Sequence, residues 1–198
     1  MRTLRQDIGG LGNILFKNAY LWGQMRKGLI PDVYAQSSEY WQDFKEEVRN
    51  LYGHGIQPID KVALHIRRGD YLKVPEFHTN VWDSGYYQKA IKEFPEGTKF
   101  LVFCKDNQGE KQDLDDQEWL ENNMPLLNID FELHKHGTET DDLNAMAGCK
   151  GIIGANSTFS WWAAFLGNPN KKVVMPREES WFVDGVVRTK LEDNWKQI

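Results

Sequence analysis

Hydrophobic and polar positions along the chain fall into two alternating patterns. Short apolar runs of strand length occur at Val62-Ala63-Leu64-His65-Ile66, at Lys99-Phe100-Leu101-Val102-Phe103-Cys104, at Lys150-Gly151-Ile152-Ile153-Gly154-Ala155 and at Lys172-Val173-Val174-Met175-Pro176. Ile129-Asp130-Phe131-Glu132-Leu133-His134 alternates instead and reads as a half-exposed strand. Between these runs the apolar positions recur every three or four residues. They do so at Leu15, Phe16, Ala19, Tyr20, Trp22 and Met25, at Tyr40, Phe44, Val48 and Leu51 before the Gly53-His54-Gly55 stop, and again over 86–94. Residues 112–123 read as an acidic surface helix, 140–149 as a short helix with N-capping residues at its start, and 161–166 as part of a helix opening directly after a strand. Residues 73–84 lack periodicity and predict a loop, and everything after Ser180 predicts a closing loop with an exposed tail. Strands alternating with helices predict an α/β fold, a Rossmann-like parallel sheet with helices on both faces.

Polar clusters stand at the ends of several predicted strands, and in an open α/β sheet that edge is where ligands bind. Val62–Ile66 runs straight into Arg67-Arg68-Gly69-Asp70-Tyr71. Two adjacent arginines at a buried strand end need partners, either an internal carboxylate such as Asp70 or an anionic ligand; the guanidinium fork suits phosphate. Asp106 follows the second strand, and Asn156-Ser157-Thr158-Phe159-Ser160 joins the fourth to its helix, where hydroxyls and amides can cap the helix and offer donors to an anion. Ile8-Gly9-Gly10-Leu11-Gly12-Asn13 precedes the first helix and reads either as a tight connection or as a phosphate loop.

Composition narrows this picture. At 198 residues the chain can bury a real core, and 40% hydrophobic with 27% charged residues marks a globular protein. A net charge of −5 argues against a general nucleic-acid or membrane-surface binder, so any phosphate recognition is local. No apolar stretch approaches a membrane span, no signal-peptide core is evident, and two cysteines, Cys104 and Cys149, make no disulfide framework; the expectation is cytoplasmic. Asp113-Leu114-Asp115-Asp116 contains an Asp-x-Asp pattern but follows no apolar strand, so it reads as a solvated helix start, not a cation site. His134 and His136 share a strand face without a third ligand nearby, and His78 reads as a loop histidine. The eight tryptophans suit either a carbohydrate surface or core packing; Trp161 and Trp162 lie in a predicted helix and read as core, while Trp82 and Trp181 are open to stacking on sugar rings.

His65-Ile66-Arg67-Arg68-Gly69-Asp70-Tyr71, Asn156-Ser157-Thr158-Phe159-Ser160-Trp161-Trp162-Ala163-Ala164 and Gly9-Gly10-Leu11-Gly12-Asn13 together resemble the α-1,2-fucosyltransferase family, whose wider relatives are the α-1,6- and protein O-fucosyltransferases. The resemblance implies a GT-B-like glycosyltransferase with a reduced N-terminal, acceptor-side region over 1–60 and a GDP-sugar-binding domain over 61–198. It implies an inverting enzyme that moves fucose from GDP-fucose to a glycan hydroxyl, β-galactoside in α-1,2 linkage, with no cofactor and no metal. Arg67 would hold the β-phosphate and Asp70 would orient the arginines, these two being the catalytic pair. His65 would sit by the nucleoside, and Asp142 would accept hydrogen bonds from guanine. Arg68, Asp106, Asn156, Ser157, Thr158, Phe159, Ser160, Gly10, Gly12 and Asn13 complete the implied donor pocket. The chain departs from the family where Ile14 and Lys17 replace usual glutamines, and where the stretch between the glycine turn and the arginines is short. Two other readings stay open: a non-catalytic GDP-sugar-binding protein and a transferase for another sugar nucleotide.

Overall fold

The structure, a computed structural model, describes residues 11–27, 36–104 and 110–198. Six strands form one parallel sheet: β1 (Ile59–His65), β2 (Lys99–Phe103), β3 (Asp130–Leu133), β4 (Cys149–Ile153), β5 (Lys172–Met175) and β6 (Lys196–Gln197), in the spatial order β3-β2-β1-β4-β5-β6. Among the described residues six α-helices accompany them: α1 (Leu11–Lys27), α2 (Lys45–Tyr52), α3 (Tyr86–Ile91), α4 (Glu110–Asn123), α5 (Glu139–Gly148) and α6 (Thr158–Leu166). The strand order reverses between β1 and β4. Both strands send their next element away from that line, which leaves a crevice beyond their carboxyl ends.

The apolar runs are continuous because the central strands are covered on both faces. Val62, Leu64, Phe100, Val102, Ile153 and Val174 pack under Tyr87 and Ala90 of α3 and Leu120 of α4. Ala63, Leu101, Phe103, Ile152, Val173 and Met175 face the other way, against α1, α5 and α6. Edge strand β3 is exposed along most of its length, as its alternation predicts.

On the α6 face Trp41, Trp161 and Trp162 are fully buried and pack with Phe165 and Phe16. These rings are core, not a sugar platform. Trp181 is buried as well, and Trp82 packs edge-on to Trp119. The helical stripe expected from Tyr40 to Leu51 is displaced. A 3-10 turn over Ser38–Phe44 precedes α2, Trp41 supplies the anchor, and Leu51 is exposed.

The segment after Ser180 is not an exposed tail. Leu191 and Trp195 are buried, and β6 adds to the sheet edge through Lys196 and Gln197. Glu178, Lys190 and Glu192 then tie this segment down: Glu178 accepts from the Leu191 N–H, and Glu192 pairs with Lys45. The sequence of this stretch lacks apolar periodicity because it is held by side chains distant along the chain, not by its own pattern.

Arg68 has an internal partner, though not Asp70. Its Nε donates to Asp116 Oδ1 at 2.8 Å and its guanidinium lies over the Trp119 ring at 4.2 Å, both on α4, with Asp116 itself buried. Asp116 is therefore a counter-ion of Arg68. Removing one member of a mostly buried pair takes a charge-assisted hydrogen bond from the other, at about 1.5–3 kcal/mol. Arg68→Ala should lower the unfolding free energy measured in urea by that amount, and an unchanged value would contradict the pairing.

Gly12 sets how closely α1 approaches α6. A Cβ there would lie 2.6 Å from the Thr158 carbonyl carbon and 2.8 Å from the Phe159 nitrogen, both backbone. An alanine gains up to about 1 kcal/mol of helix propensity, but forcing two helix backbones apart costs about 1–3 kcal/mol. Gly12→Ala is expected to be net destabilising in chemical denaturation; a more stable variant would show that α1 is free to shift.

Candidate functional site

Backbone alternation continues past the end of β1 and sorts the four residues that follow Leu64. His65 faces α6, and Ile66 faces the α3 and α4 side, its N–H bonded to the Phe103 carbonyl at 2.8 Å. Arg67 returns to the face of His65, and Arg68 to that of Ile66. Gly69 follows in the left-handed region (φ 52°), which permits the sharp turn that brings Asp70 back to Arg67. Asp70 Oδ1 accepts from Arg67 Nη2 at 2.6 Å, and the guanidinium lies 5.1 Å from the Tyr71 ring centre.

Arg67 and His65 open into a cavity of about 340 Å³ in the crevice between β1 and β4. Leu11, Gly12 and Asn13 of α1 close one side of it, and Asn156, Ser157, Thr158 and Phe159 form the junction between β4 and α6. His136, Glu139, Asp142 and Met146 line the β3–α5 side. Tyr71, Phe77 and His78 come from the loop after Asp70, with Trp181, Phe182 and Thr189 from the C-terminal segment. Gly12, Asn13, His65, Arg67, Asp70, Asp142, Asn156, Ser157, Thr158 and Phe159 are thus brought together as lining. Arg68 is not among them, because alternation turns it to α4. Gly10 and Asp106 lie outside the described residues.

Several of these residues spend their polar groups on holding the cavity open. Asn156 Nδ2 donates to the carbonyls of Thr79 and Trp181, at 2.9 and 3.0 Å, and the Asn156 carbonyl accepts from the Tyr71 hydroxyl. Ser157 Oγ caps α6 by accepting from the Phe159 N–H. Ser160 is fully buried behind the wall; its Oγ accepts from the Ala155 N–H and lies 2.5 Å from His65 Nδ1. Ser160 and Asn156 are therefore supports for the junction. Gln36 and Thr189 carried no signal in the sequence, since nothing local marks them. They meet across the cavity rim, where Thr189 Oγ1 donates to Gln36 Oε1 and Gln36 Nε2 donates to Asn13 Oδ1 at 2.8 Å.

Four buried side-chain nitrogens among the described residues have no hydrogen-bond partner, and two of them belong to cavity residues: Arg67 Nε and His78 Nδ1. A buried guanidinium N–H without an acceptor is costly unless a ligand supplies one. His78 is not a solvent-exposed loop histidine. A backbone bridge to Phe182 draws it inward, and its ring stacks on Tyr71 at 3.7 Å between centres. Burial lowers its pKa, and Arg67 and Arg188 lower it further against the opposing pull of Asp70, which keeps the ring neutral near pH 7.

His134 and His136 do have a third polar partner close by. Asp142, on the first turn of α5, accepts from the Gly137 N–H and lies 3.0 Å from both His134 Nε2, through Oδ1, and His136 Nδ1, through Oδ2. Burial pushes the Asp142 carboxyl up, but Gly137, His136 and His134 outweigh it and hold the pKa below the ordinary carboxylate value. Asp142 is ionised at neutral pH. The two histidines and Asp142 place one ligand atom each within 4.8 Å of one another.

Burial and then the Arg67 charge push the His65 pKa from 6.5 down to about 3. An unfolded histidine takes a proton near pH 6.5 while the folded one refuses it until about 3, so between those values the unfolded chain binds more protons. The resulting stability is fully present above pH 6.5 and is lost as pH falls, by up to about 1.4 kcal/mol per pH unit. Urea unfolding of wild type and His65→Gln between pH 6 and pH 4 should show the wild type losing stability more steeply; parallel slopes would mean that His65 is protonated in the folded protein.

The chain matches the model of glycosyl transferase family 11 over residues 10–197. It is 37% identical over 143 residues to the O-antigen biosynthesis glycosyltransferase WbnK of Escherichia coli, an alignment covering 67% of this chain and 43% of that protein. It is 29% identical to an alpha-1,2-colitosyltransferase of Escherichia coli (67% of this chain, 49% of that protein) and 29% identical to human galactoside alpha-(1,2)-fucosyltransferase 1 (62% and 34%). The matched region thus spans half or less of these relatives' own length. No solved structure matches. Among the described residues no helix is long and apolar enough to cross a membrane.

Proposed function

Since the chain belongs to glycosyl transferase family 11, we propose that its cavity binds GDP-fucose and that the protein transfers fucose, with inversion, to a hydroxyl of a glycan acceptor. The acceptor we propose is a β-galactoside, joined in α-1,2 linkage. The sheet is then the donor-binding half of a GT-B-like arrangement. The observation that carries this reading is the buried, unpartnered Nε of Arg67 beside the opening turn of α6.

Departure of GDP concentrates negative charge on the β-phosphate. A guanidinium held by Asp70 and packed on Tyr71 meets that charge without reorganising, and the N-terminus of α6 adds backbone donors and the positive end of its dipole. Charge stabilisation of this kind needs no cation, so we propose a metal-independent transfer. Neutral His65 lines the wall beside Arg67 without adding a second positive charge. Ionised Asp142 suits the N1–H and N2–H donors of guanine, which it would accept in exchange for bonds it now takes from the histidines.

A second reading, a GDP-sugar-binding protein without transfer activity, rests on the same cavity, whose Arg67 and α6 N-terminus would bind a diphosphate whether or not transfer follows. The two readings separate on GDP release from GDP-fucose in the presence of β-galactoside acceptors. Transfer predicts turnover that falls about 10²–10³-fold in Arg67→Ala, with Arg68→Ala much less affected if it folds. Equal turnover in wild type and Arg67→Ala would overturn the role given to Arg67. Calorimetric GDP binding without turnover on any glycan would establish the second reading, and equal competition by UDP-sugars would remove the guanine assignment.

A further inference from the structure

We propose that His134, His136 and Asp142 form a binding site for a transition-metal ion of the zinc type, outside the transfer chemistry, and that an ion held there blocks the nucleobase end of the cavity. The donor set is two imidazole nitrogens and one carboxylate, a combination that takes Zn²⁺ or Co²⁺ with one position left for water. Its atoms already stand close to the required spacing. With bonds of about 2.0–2.1 Å, tetrahedral coordination sets neighbouring ligand atoms roughly 3.3 Å apart. The His134 Nε2 to Asp142 Oδ1 and His136 Nδ1 to Asp142 Oδ2 separations are both 3.0 Å. The three ligand atoms lie within 4.8 Å of one another, with each histidine on a different carboxylate oxygen, so entry of the ion draws the two imidazoles together about Asp142 and requires the tautomer that places each ring proton on its other nitrogen.

Two of the three ligands, His134 and Asp142, sit on fixed supports. The N–H of His134 donates to the Val102 carbonyl at 2.9 Å and its ring packs 4.5 Å from the Phe103 ring. Asp142 is locked into the first turn of α5, whose start is fixed by a reciprocal Thr138–Asp141 capping box, and its Oδ1 also accepts from Gly137. Rigid placement of donors on a strand end and a helix turn reduces the ordering cost of binding. His136 and Asp142 both face the 340 Å³ cavity, so a bound ion is reached from there. The blocking effect rests on the guanine-reading role proposed for Asp142: a carboxylate oxygen engaged by the ion no longer accepts from a purine, and the coupling is reciprocal, so nucleobase and metal weaken one another.

Co²⁺ serves as the probe for the site and guanosine, which has no phosphate to chelate it, as the probe for the base. Titration of the whole chain with Co²⁺ should develop the visible absorption of a four-coordinate ion with one ion per chain, removable by Zn²⁺. His134→Gln and His136→Gln should each weaken Co²⁺ binding about tenfold or more, while the distant His54→Gln leaves it unchanged. Absence of the band, or equal affinity in all variants, overturns the site. Circular dichroism of each variant identifies any loss due to unfolding, and for such a variant Co²⁺ protection of wild-type His134 and His136 from diethylpyrocarbonate decides instead, unprotected histidines overturning the site. Guanosine should bind wild type about tenfold more weakly once Zn²⁺ just saturates the wild-type site, and His136→Gln should need about tenfold more Zn²⁺ for the same loss; an affinity unmoved by Zn²⁺ in wild type overturns the blockade. Failure of guanosine to bind without any metal counts against the guanine assignment alone, because the Co²⁺ titration contains no nucleotide.

Discussion

The strict two-residue alternation of side chains along β1, carried three residues beyond the strand's last position, is the constraint on which the site depends. It places His65 and Arg67 on the α6 face and Ile66 and Arg68 on the α3 and α4 face. Neighbouring guanidiniums would repel if both turned to the cavity. The fold separates them by sending one through the sheet plane to Asp116 and leaving the other with Asp70 at the cavity edge. Of the two arginines, Arg67 is the one left with a buried donor unclaimed. The chain is acidic overall, and its anion-binding potential is consequently local, generated by one guanidinium and one helix terminus.

Holding that edge open requires the elements around it to be tied to one another. The aromatic slab of α6 anchors the helix whose first turn forms the β4 junction, and Gly12 lets α1 lie directly against that turn. Asn156 joins the loop carrying His78 to the segment carrying Trp181, and the chain from Thr189 through Gln36 to Asn13 joins the C-terminal segment to α1. Most polar groups in the junction motif therefore support geometry, which is why a motif that resembles a binding loop residue by residue contributes fewer free donors than its composition suggests.

Elements set by local patterning were legible in the sequence: the buried strands from their apolar runs, the short helix expected over 140–149, which starts one residue earlier and is capped by Thr138 instead of Thr140, and the parallel α/β layout from their alternation. The partners that define the site were not, because they are distant along the chain. Arg68 and Asp116 are 48 positions apart, and Thr189 and Gln36 are 153 apart. No periodicity encodes such a meeting. Trp41 replaced the expected stripe because a 3-10 turn has three residues per turn, not 3.6, and shifts the buried face. The segment ending in β6 escaped notice because it borrows its order from the sheet edge and from Glu178 and Glu192.

The histidine pair shows how the same distance argument can change a chemical reading. In the sequence, His134 and His136 lacked a third ligand; in the fold, the first turn of α5 delivers Asp142 between them, eight and six residues further on. One carboxylate then serves three N–H groups, of Gly137 and of two imidazoles, and is ionised because of them. A purine and a metal ion make opposite demands on that arrangement. The purine needs the carboxylate's lone pairs directed into the cavity, whereas the ion needs them directed between the imidazoles. An imidazole, able to shift its proton from one nitrogen to the other, accommodates both, as a donor to Asp142 in one state and a co-ligand with it in the other. Arg67, by contrast, has no such choice, because a guanidinium can only donate. On the proposed reading the cavity therefore has one end fixed for anions, at Arg67, and another whose chemistry is set by whatever occupies Asp142.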